Sequence, residues 1–414
     1  MSDQSGVHRR GFIVGAAGVS SALVFRGDGL EAAAQESKTG AASGAASNAA
    51  KSKPLPGYVS WKDANSVIVH STNTLETKRD AIGPSLVTAA EDLYVRNNLP
   101  APSEDWVRNA DDWELEVEGV KKPSSLRLAD LKRMGVDTVV MVLQCSGNGR
   151  AFFSHKASGT QWSVGAAGNV VWAGIPVRTL VEALGGVADG RKFITGTGGE
   201  DIPKGIDPKT VMVERSVPMD AMEHAILAWE MNGKPLTIAH GGPLRLVVPG
   251  YYGVNNVKYI KRLAFTDQES DANIQRTGYR VRPVGVKGAP DQPSMWEMSV
   301  KSWVTHPLKD ARNGRLQIYG VAFGGINPLK SVEVSTDDGK SWQEAKLIGP
   351  DLGLFAWRPF VLEADLKPGD YVIASRATDV KGDTQPENFE PNERAYGHNG
   401  WRAHAVDVKA MDAS

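Results

Sequence analysis

The sequence predicts an α+β region that carries the chemistry, followed by a β-sandwich. Three observations predict it. Apolar runs with strand character, Asp137 to Leu143 and Leu244 to Val248, are separated by segments of helical pattern such as Val177 to Leu184, without the regular strand–helix alternation of a doubly wound sheet. No Gly-x-Gly-x-x-Gly or P-loop string follows a strand, so nucleotide binding has no motif behind it. From about Met295 the pattern changes to short strand-like runs at close spacing: Arg315 to Phe323, Ser331 to Ser335, Ala356 to Leu362, Gly369 to Ala377 and His404 to Val408.

The elements come in chain order. Arg9-Arg10 precede Phe12 and a short Gly/Ala-rich apolar stretch to Phe25, and Ala32 and Ala34 supply a small-residue cleavage site before Gln35. Residues 1–34 therefore read as a twin-arginine export signal, which predicts a periplasmic protein sent across the membrane already folded. Residues 35–56 are rich in Ala, Ser, Lys and Gly and bury too little apolar surface to order themselves, so they read as a flexible linker. Residues 57–285 form the catalytic region. Within it, Asp137 to Leu143 reads as a buried strand that delivers Gln144-Cys145 to a site. Ser216 to Glu230 is a mixed apolar segment, and Leu244 to Val248 is a buried strand stopped by Pro249-Gly250. Residues 286–414 form the sandwich, with hairpin signals at Asp337-Asp338-Gly339-Lys340 and Pro368-Gly369-Asp370. Its expected role is packing, interdomain contact or dimerisation.

Composition removes several classes of function. Lys+Arg at 47 against Asp+Glu at 48 gives no electrostatic case for nucleic acid or anionic lipid. No apolar run reaches the roughly 18 residues of a transmembrane helix. A single cysteine, Cys145, excludes an internal disulfide, CxxCH haem attachment, a cysteine-rich zinc site and an ordinary iron–sulfur cluster within the chain. Cys145 sits in Leu143-Gln144-Cys145-Ser146-Gly147-Asn148-Gly149-Arg150, where glycines allow a tight turn and Arg150 favours a thiolate. Three roles are open to it from these residues alone. They are a buried free thiol, a nucleophile partnered by a group such as His155, or a soft-metal ligand whose other ligands come from a cofactor.

This string resembles the molybdenum-binding loop of the sulfite oxidase family. Tyr94-Val95-Arg96-Asn97-Asn98-Leu99-Pro100, Glu230-Met231-Asn232-Gly233, His240 through Gly250, Ser335 to Trp342 and Arg376-Ala377-Thr378-Asp379 resemble further segments of that family in the same order. The resemblance runs from about Ser60 to Val408. It implies a molybdopterin-binding domain followed by an immunoglobulin-like dimerisation domain, and a homodimer.

The resemblance also implies site roles. Cys145 would be the thiolate on molybdenum, beside two dithiolene sulfurs and two oxo-type oxygens, with one molybdenum–molybdopterin per chain and no haem. Arg96, Arg150 and Arg394 would bind the substrate anion, since guanidinium forks suit oxyanions. Tyr279 would hydrogen-bond the reacting oxygen, and Trp162 would wall the pocket. Asn98, Asp201, His240, Arg245 and Lys258 would hold the pterin and its phosphate. The chain departs from the family at Asn98, where a histidine is expected, and at Asn255-Asn256, where vertebrate members carry Arg-His. The implied activity is oxidation of sulfite to sulfate by oxygen-atom transfer, with electrons passed to a separate c-type cytochrome. The alternatives are a sulfane dehydrogenase of thiosulfate oxidation, a periplasmic molybdenum sulfoxide reductase, and a cofactor-free binding protein on the same scaffold.

Overall fold

The computed structural model describes residues 53–412. The export-signal reading of residues 1–34 and most of the linker reading lie outside the described residues. The architecture is mixed, and sheets supply nearly all its regular structure. The longest helix among the described residues, Val177–Ala183, buries Val177, Leu180 and Val181, the i, i+3, i+4 stripe that docks a short helix on a sheet. Gly185 and Gly186 come next, with φ of 83° and 96°, and stop it.

Two five-stranded sheets build the first region. One runs Lys234–Pro235, Ile226–Met231, Ala167–Pro176, Asp137–Gln144, with Arg245–Val247 also pairing to Ile226–Met231. The other runs Ser124–Arg127, Glu114–Glu118, Ile260–Thr266, Phe193–Gly198, Glu214–Pro218. Glu114–Glu118 pairs parallel with Ile260–Thr266 while its other neighbour is antiparallel, so the sheet is mixed, as α+β requires. A small sheet of Val67–Ser71, Thr74–Thr77 and Val95–Arg96 carries Arg96. The segment Ser216 to Glu230 resolves into the end of Glu214–Pro218, a 3-10 turn Met219–Glu223 and the start of Ile226–Met231.

The strand Asp137–Gln144 explains how its sequence aims the chain. Its first residues are exposed and its last four are buried, so it dives through the sheet and emerges at Cys145 inside the protein. Leu143 and Met141 pack there with Trp162 and Trp172. Each such side chain contributes about 1.5–3 kcal/mol when fully buried, which fixes the direction of the strand.

The second region is a two-sheet sandwich. Lys301–His306, Gly314–Phe323, Arg358–Leu366 and Lys346–Leu347 form one sheet. Ala311–Arg312, Val406–Met411, Gly369–Asp379, Leu329–Ser335 and Gln343–Glu344 form the other. Val304, Ile318 and Phe360 from the first meet Val334, Ile373 and Val408 from the second in a common core. Val406–Met411 alternates buried and exposed along its length, as a half-buried strand must. Asp338 and Gly339 have φ of 62° and 78°, the paired positive values of a hairpin turn whose register matches Asp-Asp-Gly. Several strand ends shift by a few residues from the sequence reading. His404 ends a helical turn, Trp401–His404, and the strand expected from Ala356 begins at Arg358.

The two regions meet around Cys145. Val142 N–H donates to the Phe355 carbonyl at 2.8 Å and Gly397 N–H to the Ser146 carbonyl at 2.9 Å. Arg79 reaches the carbonyls of Val304 and His404 at 2.7 and 2.6 Å.

Candidate active site

Cys145 directly succeeds the strand and begins a tight loop. Its N–H donates to the Ala166 carbonyl at 2.9 Å and its carbonyl accepts from Asn148 N–H at 3.0 Å. Two glycines are needed. A Cβ at Gly147 would lie 2.7 Å from the Arg150 guanidinium, and Gly149 has φ of 98° with His398 Cβ 2.8 Å from where its own Cβ would be. The loop therefore closes over Arg150 and against a residue of the second region.

Cys145 faces a cavity that Tyr94, Arg96, Asn98, Glu200, His240, Arg245, Lys258 and Tyr279 also line. Two of its cations, Lys258 and Arg245, donate to neutral groups. Lys258 Nζ donates to Asn97 Oδ1 at 2.7 Å and to the Ala239 carbonyl at 2.6 Å. Arg245 donates to the carbonyls of Asn256 and His240 at 3.1 and 2.9 Å and lies over the Trp172 ring. Burial holds Lys258 well below the usual ammonium range, with Arg245 adding to the effect, and lowers Arg245 to about 10. Burial, then the Lys62 and Lys258 charges, keep His240 well below the usual imidazole range, so it is neutral. Lys62 Nζ approaches His240 Nε2 at 3.4 Å while donating to the carbonyls of Ala90 and Leu93.

The opposing charge is Glu200, which burial pushes up to about 7. Its Oε2 and the hydroxyl of Ser146, both buried in cavity-lining residues, have no hydrogen-bond partner among the described residues. Buried polar atoms of this kind call for a bound partner. A thiol, two orphaned hydrogen-bonding groups and three cationic or imidazole side chains on one wall fit a group that brings a soft metal, a polar heterocycle and a phosphate. Molybdenum–molybdopterin is such a group.

Tyr279 enters from the end of a π-helical turn, Ile274–Gly278, through its N–H to the Ile274 carbonyl at 3.2 Å. Such turns are rare and cluster at functional sites. The ring stacks on Tyr396 of the second region, with centroids 5.1 Å apart and planes 7° from parallel.

The structure brings together Cys145, Arg96, Asn98, His240, Arg245, Lys258 and Tyr279 on one cavity wall. It places the other predicted site residues off the lining of this cavity. Asp201 is exposed, and its neighbour Glu200 takes the lining position because the chain turns outward after the strand Phe193–Gly198. Trp162 is fully buried behind the wall, edge-on to Tyr94 and His70. Arg150 lies beneath the loop, 1% exposed, with Nε donating to the Arg394 carbonyl and Nη1 to the Thr160 carbonyl, both at 3.1 Å. Arg394 is half-buried beside it rather than on the wall. Sequence reading missed Asn97, Glu200 and the roles of the two asparagines. Asn255 Oδ1 accepts from Arg215 at 3.2 and 3.0 Å, and Asn256 Oδ1 accepts from Val248 N–H at 2.8 Å. The signal for Asn97 was present, since it adjoins Asn98 in the same string; none marked Arg215.

Residues 99–274 match the model of the oxidoreductase molybdopterin binding domain, and residues 292–410 match the Mo-co oxidoreductase dimerisation domain. The chain is similar to mitochondrial sulfite oxidase of Drosophila melanogaster, 32% identical over 78% of this chain and 59% of that protein. It is similar to mitochondrial sulfite oxidase of Homo sapiens, 30% identical over 80% of this chain and 63% of that protein. It thus spans about three-fifths of the length of these relatives. Among solved structures it resembles the sulfane dehydrogenase SoxCD from Paracoccus pantotrophus, with a TM-score of 0.69 and 26% identity, covering 83% of this chain and 89% of that one. With both domains matched in order and the cysteine loop opening on a cavity that fits the cofactor, the chain belongs to the sulfite oxidase family.

Proposed function

We propose that the protein is a periplasmic sulfite dehydrogenase that oxidises sulfite to sulfate and passes the electrons to a separate c-type cytochrome. The observation that carries this reading is the meeting of Cys145, Arg96 and Tyr279 on the wall that also holds His240, Arg245 and Lys258. When bound, molybdenum–molybdopterin supplies oxygen-atom transfer and two-electron chemistry, with Cys145 as the protein's ligand to the metal. Arg245 and Lys258 hold the phosphate, since their protein acceptors are neutral and leave positive charge for it. His240 and Asn98 meet the pterin, and Glu200 offers it an acceptor.

Arg96 binds the substrate oxyanion, and Tyr279 hydrogen-bonds the oxygen that moves. Arg150 and Arg394 serve from behind the wall by holding the loop that presents Cys145. Sulfite and water give sulfate, two protons and two electrons. With its one cysteine assigned to the metal, this 414-residue sequence offers no CxxCH site for a c-type haem, which supports an acceptor haem carried by a separate cytochrome. The export signal read in residues 1–34 gives the location, and the dimerisation domain supports a homodimer.

A second reading, a sulfane dehydrogenase acting on protein-bound sulfur, is favoured by the likeness to SoxCD. One experiment tests both. Purified protein is assayed for molybdenum per chain and for cytochrome c reduction with sulfite and, separately, with a protein-bound sulfane. Sulfite-dependent reduction by loaded protein, lost together with the metal in Cys145→Ser, is the expected result. Reduction with the sulfane alone moves the assignment to the second reading, and a fully loaded protein that uses neither overturns both.

A further inference from the structure

Arg215 lies on the strand Glu214–Pro218 and is 1% exposed. All three of its nitrogens donate to neutral acceptors. Nε and Nη2 reach Asn255 Oδ1 at 3.2 and 3.0 Å, Nη2 also reaches Ser294 Oγ at 3.0 Å, and Nη1 reaches the Ile274 carbonyl at 3.0 Å. The nearest acid that acts on it, Glu269, is engaged by Arg280 and Gln275. Among the described residues no carboxylate forms an ion pair with Arg215. A sealed guanidinium without a counter-ion costs stability and persists where its charge has a use.

Its position says what the use is. The Ile274 carbonyl that Arg215 bonds is the same one that receives Tyr279 N–H, so Arg215 pins the turn that presents Tyr279. Its guanidinium lies over the Tyr279 ring at 5.6 Å, Tyr279 stacks on Tyr396 at 5.1 Å, and Arg150 lies over Tyr396 at 5.4 Å. Two buried cations thus flank a pair of aromatic rings, and one of those rings is cavity wall. Burial lowers Arg215 to about 9, and the first group countering that is Tyr279.

We propose that Arg215 is a positioning residue with a second role: it holds the turn bearing Tyr279 and places a positive charge behind the wall that strengthens binding of a small oxyanion in the cavity. This rests on the proposed oxyanion site at Arg96 and Tyr279. Charge is the property at stake, because a buried unit charge acts through a medium of low effective dielectric, with little screening by salt.

The test uses the full-length holoenzyme and sulfate as the probe, with binding measured by titration calorimetry and sulfite turnover measured alongside. Arg215→Met should weaken sulfate binding roughly tenfold and raise KM for sulfite by a similar factor, with a smaller change in kcat. Arg215→Lys, which keeps the charge, should stay within about threefold of the parent. Arg215→Gln, still able to donate to Asn255, is the neutral variant to use if the methionine form does not fold. Thermal melting reports any bracing role separately. Unchanged sulfate affinity in a folded neutral variant overturns the proposal, and so does an equal loss in the lysine and neutral variants, which would make Arg215 a brace alone. A parent protein that does not bind sulfate removes the oxyanion site and this role with it.

Discussion

Lys301→Met should stabilise the protein near neutral pH and lose that advantage as pH rises. Lys301 opens the first strand of the sandwich, is 2% exposed, and has one hydrogen bond, to the Asn148 carbonyl in the cysteine loop at 3.3 Å. The groups around it are basic or aromatic: its charge lowers both His398 and His404, Arg79 acts on His404, and Trp303 lies 5.8 Å away. Burial pushes its ammonium from 10.5 down to about 7. An unfolded chain holds the proton up to its ordinary value, so folding must bury the charge or release the proton. The resulting penalty is full at and below pH 7, shrinks from pH 7 to 10.5, and is gone above that. The shift from 10.5 to about 7 corresponds to about 5 kcal/mol, against which the lost hydrogen bond costs about 1 kcal/mol. The variant should gain roughly 4 kcal/mol at pH 7, and about 3 kcal/mol of that should vanish by pH 9.5. Urea unfolding tracked by tryptophan emission at the two pH values reads this directly. A gain of the same size at both pH values, or a loss at pH 7, would refute the argument that burial of charge dominates here.

Other perturbations test the cavity. Glu200→Gln removes a carboxyl that burial raises from 4.5 to about 7, so its stabilising effect should be absent near pH 4.5, grow to about 3 kcal/mol by pH 7 and stay flat above, as measured by the same unfolding assay. Gly149→Ala forces a side chain onto a φ of 98° and against His398, and should cost about 1–3 kcal/mol while lowering molybdenum per chain, read by melting and metal analysis. Arg245→Met removes charge-assisted bonds worth about 1.5–3 kcal/mol, so cofactor should dissociate at least about tenfold more readily, measured as molybdenum retained through gel filtration. A variant that keeps its metal as the parent does would take Arg245 out of the cofactor's binding set.

The parts of this fold that were legible in the sequence are those fixed by local pattern. The strand Asp137–Gln144 shows in successive residues of strand character, and its end at Cys145 marks where burial is complete. The turn at Asp338-Gly339 comes from residues that tolerate positive φ. Site residues embedded in strings were legible for the same reason: Arg96, His240, Arg245 and Lys258 each sit inside a recognisable segment. What was not legible depends on which way a side chain points after the strand ends. Glu200 and Asp201 are adjacent acids, and only the outward turn of the chain decides which faces the cavity. The resemblance made Arg150 an anion-binding residue and Trp162 a wall residue, whereas packing puts Trp162 behind Tyr94 and Arg150 beneath the loop.

Asn255 shows why the larger correction concerns charge. Read as a string, Asn255-Asn256 removes cations from the neighbourhood of the cofactor, because neutral residues stand where the resemblance expects Arg-His. In three dimensions Asn255 is the acceptor for Arg215, whose guanidinium comes from a strand forty positions earlier. Its amide nitrogen meanwhile donates to the carbonyls of Tyr252 and Met295 at 3.1 and 2.8 Å, so the asparagine is fully used and could not be a cation without losing this arrangement. The neutral pair at Asn255-Asn256 thus sits against a buried cation supplied by another strand. The same logic applies to Arg150: it does not line the cavity, yet it stands over Tyr396, which stacks on Tyr279. Under the proposed function, anion recognition would draw on charge placed one layer behind the wall as well as on the wall itself. Because Tyr396 and Arg394 come from the second region, separating the two regions would remove part of that layer, and the sandwich is a structural component of the site as well as a candidate dimer surface.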